Sequence, residues 1–297
     1  MVMYIGNNSV LGTKKTIRKA WVLFSITLFF VFLSFGYYAS ATTVWTYDDF
    51  SSGSIDADKW KLNDNNNFFS VSSGVPHVLH ASGSGSTSFP GANLTTLPSY
   101  HPFSGYFGAG INFFSFSQSG YTPAPGSSEP YPSIGLMIGD WGALGPGTGP
   151  LSDYFLVARA VSPNGDAIGW REFDKNGNLL GHNGIPCPTD LINSGGLMLD
   201  YNPSTGTLEL GYFTSTNPSD WASATPTIIQ TFSGVSFSGD PRLRISFTPG
   251  GGGTLSVDVG GLYYADLSAQ AVPLPASLLL LGPGLVGVLA LKRRFKK

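Results

Sequence analysis

The chain has 297 residues, of which only 11% are charged, less than half of the ~25% usual in soluble domains. Nine of the sixteen Lys and Arg sit at the two ends, whereas all eighteen Asp and Glu lie between Asp48 and Asp266. Residues 42–271 therefore carry seven basic against eighteen acidic groups, a net of −11. A centre of that sign lacks the basic footprint that phosphate backbones require, which excludes nucleic-acid binding, and a single cysteine, Cys187, excludes internal disulfides and metal sites built on thiolates.

Lys14 to Ala41 reads KKTIRKAWVLFSITLFFVFLSFGYYASA. A basic stretch precedes an apolar run from Ala20 to Gly36, and Ala39-Ser40-Ala41 then supplies an A-x-A pattern. The arrangement predicts a signal peptide over residues 1–41, read by the secretion translocon and cut by signal peptidase after Ala41. The 17-residue run also reaches the length of a membrane helix, so an uncleaved N-terminal anchor is the competing reading.

Residues 42–270 show no helical apolar period of useful length. Alternating or β-branched segments recur instead between Gly, Pro, Asn and Ser clusters. They fall at 43–47, 68–71, 77–81, 106–116, 133–139, 154–161, 169–173, 197–201, 207–213, 227–232, 243–247 and 254–259. Such a series predicts an all-β fold, one large antiparallel β-sandwich. LMLDYNPSTGTLELGYF (197–213) predicts a hairpin, with Pro203 early and Gly206 late in its turn. FDKNGNLL (173–180) predicts another, with Asn176-Gly177 favouring a primed turn. TPGGGGTL (248–255) connects the last two strands, while 120–132 and 142–150 are long loops of the kind that carry function on β scaffolds.

The opening of this region, WTYDDFSSGSIDADKW (45–60), resembles the start of concanavalin A-like lectin/glucanase domains through Asp48, Asp49, Phe50, Asp56 and Trp60. GTLSVDVGGLYYADL (253–267) resembles their closing strands. The resemblance implies a jelly-roll sandwich and either sugar binding or glycoside hydrolysis; a generic secreted sandwich is the alternative.

Retaining hydrolysis needs two carboxylates about 5–5.5 Å apart, which on a strand means alternating positions. Glu172-Phe173-Asp174 starts such a pattern, but Asn176 and Gly177 stand where the second Glu belongs, and Glu209 alternates with Leu208 and Leu210 so as to face solvent. His77 and His80 are spaced to point to opposite faces of a strand, against a shared zinc. DKNGN (174–178) lacks the Gly and Glu of a calcium loop, having Leu179 and Ile185 there. No catalytic residue, metal or cofactor is assigned; a structural calcium on loop carboxylates such as Asp140, Asp153 or Asp166 stays open. For ligand binding the candidates are Asp140 and Trp141, at the mouth of the 142–150 loop, with Tyr154 and Trp170: rings stack on sugar faces while polar groups take hydroxyls. The competing role of each Trp is core packing.

The chain closes on AVPLPASLLLLGPGLVGVLALKRRFKK (271–297). Ala276 to Leu291 is uncharged, and counting from Val272 gives 20 residues, enough for a transmembrane helix with its basic tail cytoplasmic. Pro273 and Pro275 bar helix just upstream, leaving an extended peptide at the membrane surface. This segment resembles the PEP-CTERM sorting signal of Gram-negative bacteria, in its VPLPA form: Val272, Pro273, Leu274 and Pro275 match the Pro-x-Pro box, with Leu274 where the type pattern has Glu, and Arg293 and Arg294 match the Arg-rich end. The resemblance implies processing by an exosortase at an inner-membrane intermediate, then release to the cell surface or extracellular matrix. A plain tail anchor is the alternative. Together these readings predict an exported, non-enzymatic protein that associates with exopolysaccharide, against a purely structural matrix protein or a glycosidase with an unrecognised site.

Overall fold

Alternation along the middle of the chain gives strands whose two faces meet different surroundings. The computed structural model describes residues 43–84, 91–98, 105–121, 131–141, 150–162, 164–250 and 253–268; the expected signal peptide and C-terminal sorting segment lie outside the described residues. No described helix is long and apolar enough to cross a membrane.

Among the described residues fifteen strands run in chain order: β1 (Val44–Asp48), β2 (Trp60–Asn63), β3 (Phe69–Val71), β4 (Leu79–Ser84), β5 (Ala92–Thr96), β6 (Phe107–Ser119), β7 (Ser133–Gly139) and β8 (Tyr154–Ser162). They continue with β9 (Gly165–Phe173), β10 (Leu179–Pro186), β11 (Gly195–Asn202), β12 (Thr207–Phe213), β13 (Thr227–Phe232), β14 (Arg242–Thr248) and β15 (Thr254–Asp266), with a short α-helix, α1 (Pro218–Trp221), and a 3-10 turn at Thr189–Leu191. Every pairing is antiparallel.

An eight-stranded sheet has the order β13-β12-β11-β6-β15-β4-β3, with β1 also on β15, and a seven-stranded sheet has the order β10-β9-β8-β7-β14-β5-β2. The long strands β6 and β15 form the spine of the first sheet. On its other side β15 pairs with β4 along Thr254–Val259 and with β1 along 262–265. The sheets pack face to face, β11 against β7 and β8, and β13 against β9. Leu79, Ile111, Leu197, Leu208 and Val257 from one sheet meet Leu94, Leu136, Val157, Ile168 and Ile245 from the other, all fully buried. At roughly 1.5–3 kcal/mol for each large apolar side chain, this layer holds the sheets together.

Each expected segment contains a strand, and the 197–213 and 173–180 hairpins form, as β11–β12 and β9–β10. Three strands go beyond the expected set: β2, β5 and β10. The turn at 174–178 differs from the expected primed type. Among its residues only Gly177 has positive φ, +84°, and the Gly177 N–H bonds to the Asp174 carbonyl. The Asp174 carboxylate accepts from the backbone N–H of Asn176 and of Asn178, both at 2.8 Å, which favours an ordinary type I turn closed by a left-handed glycine.

Candidate functional site

The register of the seven-stranded sheet builds a depression on the face turned away from the core. Ser133, Ala160, Ala167 and Pro186 stand side by side across β7, β8, β9 and β10. The next row on that face is Gly135, Ala158, Gly169 and Gly184, and the third is Met137, Leu156, Arg171 and His182. Two rows of minimal side chains lie beside a row that rises to a guanidinium and an imidazole. The result is an open trough of about 600 Å³, whose lining includes Tyr131, Ala158, Ala160, Gly169, Arg171 and His182. The Arg171 guanidinium lies 5.4 Å from the centre of the Tyr131 ring. Burial pulls its pKa below the ordinary arginine value, against the opposing effect of Tyr131 and Tyr121.

Of the four candidate ligand-binding residues, three come together beside this trough. Trp141, Tyr154, Met137, Leu156, Ala158 and Phe173 form a cluster on the same face. Tyr154 stacks on Phe173 at 4.8 Å and 11°, and Trp141 lies 6.1 Å from Tyr154. Arg244 covers Trp141 at 4.0 Å and donates from Nε to Thr95 Oγ1 at 2.8 Å; burial pushes its pKa down to about 10. Trp141 is only 1% exposed, so its ring packs rather than offering an open platform. Asp140 is equally enclosed: its Oδ2 accepts from Ser238 Oγ at 2.8 Å and its carbonyl accepts from Leu151 N–H at 2.7 Å.

Trp170 is separate from the other three and is the one of the four among the trough's lining residues. Its position in β9 shares the inner side with Ile168, and its ring meets Phe232 of β13 edge-on at 5.2 Å and 87°. Glu172 has the same parity, pairing with Phe155, while Asp174 is taken up by its turn, so the near-pattern Glu172-x-Asp174 presents no facing pair of carboxylates.

The four histidines have separate surroundings where described. His77 lies ahead of β4 with Nδ1 2.7 Å from the Ser72 carbonyl, His80 Nδ1 is 2.7 Å from Asp258 Oδ1, and His182 lines the trough; His101 is outside the described residues. Among the described residues no three His, Cys, Asp or Glu group as a metal site. Asp166 pairs with the buried Arg159 at 3.0 Å, and burial raises the Cys187 thiol, keeping it protonated.

Glu209 faces away from the buried Leu208 and Leu210, as expected, is half-buried, and stands directly opposite Asp200 across β11 and β12. Burial, and secondarily Glu209, push Asp200 up to about 7. Asp200 was not a sequence candidate, because only the hairpin register, two residues either side of the turn and beyond, brings it to Glu209.

No protein-family model matches the chain, and no curated protein matches it. Solved structures do resemble it. The winged bean acidic lectin complexed with methyl-alpha-D-galactose is 14% identical with a TM-score of 0.43, over 76% of this chain and 98% of that one. LamAcat from Zobellia galactanivorans is 11% identical with a TM-score of 0.44, over 75% and 96%. A legume lectin-like domain from Entamoeba histolytica is 8% identical with a TM-score of 0.43, over 70% and 90%.

Proposed function

We propose that the protein is an exported, non-enzymatic sandwich that holds polysaccharide in the trough across β7–β10. The observation that carries this reading is the two-row floor of Ser, Ala, Gly and Pro beside Tyr131, Arg171 and His182. A shallow open site with small apolar floor residues and a few polar groups suits a sugar chain, which presents flat apolar ring faces and hydroxyl edges. The reading is non-enzymatic because the described trough lining holds a single acid, Asp166, which is paired with Arg159 at 3.0 Å, where retaining hydrolysis asks for two carboxylates about 5–5.5 Å apart.

Filling the floor tests the proposal. Ala160→Trp adds a ring above the first row without touching the core and is expected to cut retention on polysaccharide columns at least tenfold, with the melting temperature little changed. Undiminished retention overturns the trough as the site.

The export half rests on the sequence. Ala39 and Ala41 mark signal-peptide cleavage, and the Val272-Pro273-Leu274-Pro275 box, apolar run and Arg293-Arg294 end mark handling by an exosortase. The location follows: secretion, a membrane intermediate, then the surface or matrix of a Gram-negative cell. Mass spectrometry of the exported protein is expected to show a chain beginning at Thr42 and lacking Lys297; an exported chain that retains Lys297 overturns the sorting claim.

A further inference from the structure

The charges of the sandwich are divided between its two sheets. The strands of the eight-stranded sheet contain no Lys or Arg, yet carry Asp48, Asp200, Glu209, Asp258 and Asp266. The strands of the seven-stranded sheet contain Lys61, Arg159, Arg171, Arg242 and Arg244. Their only acids are Asp166 and Glu172.

The register sharpens this division. Lys61 pairs with Thr95, Arg244 with Thr95 and Met137, Arg242 with Gly139, and Arg171 with Leu156 and His182. All four cations stand on the face turned away from the core. Glu172 alternates with Arg171 and Phe173 and so belongs to the other side, and Asp166, at the end of the trough lining, is neutralised by Arg159 at 3.0 Å. Asp140, at the exit of β7, accepts from Ser238 and, with Asp240, acts on Arg242, and neither acid lines the trough. A domain with a net charge of −11 thus keeps four of its seven cations on the face that carries the trough, and Arg171 lines it. Side chains of one sign beside a concave surface raise the local concentration of a ligand of the opposite sign.

We infer that the trough selects an anionic polysaccharide, with carboxylate or sulfate substituents held by Arg171 and His182 and the ring lying over Ala158, Ala160 and Gly169. This rests on the trough being the glycan site. Arg171 supplies the planar fork that fits an oxyanion, and His182, its cross-strand neighbour in the same lining, supplies a ring nitrogen. The net negative charge elsewhere repels polyanions, so binding of one requires this face.

The test uses the full chain in detergent, at about the physiological salt where screening length is ~8 Å, against dextran, dextran sulfate and polygalacturonate. Dextran sulfate or polygalacturonate is expected to bind at least tenfold tighter than dextran, the pair separating sulfate from carboxylate recognition. Arg171→Gln is expected to remove at least tenfold of that affinity, Arg171→Lys less, and Lys175→Gln, on the exposed turn, none; melting curves check that each variant folds. Equal binding of dextran and dextran sulfate, both abolished by Ala160→Trp, overturns the charge selection and keeps the glycan trough. Equal losses from Arg171→Gln and Lys175→Gln overturn it too, as general attraction. Binding of no polymer overturns both readings.

Discussion

Asp48→Ala is expected to lower stability by about 3–5 kcal/mol, the cost of leaving buried partners of a charged group unpaired. Asp48 ends β1 in one sheet, and Trp60 begins β2 in the other. The carboxylate, 4% exposed, joins them: Oδ2 accepts from Trp60 Nε1 at 2.6 Å and Oδ1 accepts from Phe50 N–H at 2.9 Å, with Lys59 Nζ 3.9 Å away. Phe50 is fully buried with φ +56°, a left-handed conformation that costs about 1–3 kcal/mol and needs its surroundings to hold it. The bond from its N–H to Asp48 does part of that, and stacking on Trp60 at 6.1 Å does the rest. Tyr47 meets the other side of the indole at 5.1 Å and donates from its hydroxyl to the Lys59 carbonyl at 2.7 Å. Asp48→Asn keeps one acceptor and loses the charge, so its cost is expected to be smaller, about 1–2 kcal/mol. Urea unfolding at neutral pH measures both; a loss under about 1 kcal/mol for Asp48→Ala overturns the clamp, since that is what an ordinary surface change costs at most.

The same residues show what a sequence can carry. Asp48, Phe50 and Trp60 are conspicuous as letters and turn out to be structural, tying the two sheets at their common edge. Strands with alternating bulky apolar residues, such as β7 and β15, are legible because one face must be buried. β2, β5 and β10 are not. WKLN is short; ANLTT buries Asn93 and Thr95 on the far face of the sheet, where polarity mimics a loop; LLGHNGIP is an exposed edge with two glycines. The trough was illegible for a related reason. Its floor is made of absent side chains, and Ala158, Ala160, Ala167, Gly169 and Gly184 carry no chemistry individually. Only register sets them in rows. The signal that was present is period-2 smallness: Ala158-x-Ala160, Ala167-x-Gly169 and Gly184-x-Pro186. Aromatic letters pulled attention to Trp141, which packs, and to Trp170, which meets Phe232 and is among the trough's lining residues.

Removing the charge at Asp200 is expected to stabilise the protein at alkaline pH and to do little in acid. Asp200 faces Glu209 across the hairpin and lies over Gly108 of β6, with Leu267 packed beside it; a Cβ at position 108 would collide with its carboxylate. Tyr106 is the remaining titratable neighbour, its hydroxyl raised by burial and then by these two acids. Desolvation comes first and Glu209 second in pushing Asp200 to about 7, so the folded chain keeps this proton where the unfolded chain has released it. The folded state then binds more protons between the ordinary carboxylate range and neutrality, and stability falls as pH rises through that window. The favourable contribution is complete below about pH 4 and is gone above the folded value of about 7. At about 1.4 kcal/mol per unit the span corresponds to at most about 4 kcal/mol, reduced by whatever relaxation separates the two carboxylates. Asp200→Asn keeps the shape and loses the titration. Its unfolding free energy is expected to exceed that of the parent by about 2–4 kcal/mol at pH 8 and to match it at pH 4. Glu209→Gln, which removes only the secondary cause, is expected to give a smaller gain over the same window. Equal stability of Asp200→Asn and the parent at pH 8 would mean that Asp200 ionises in the folded state as it does in water, and would overturn the burial of its carboxyl between Gly108 and Glu209.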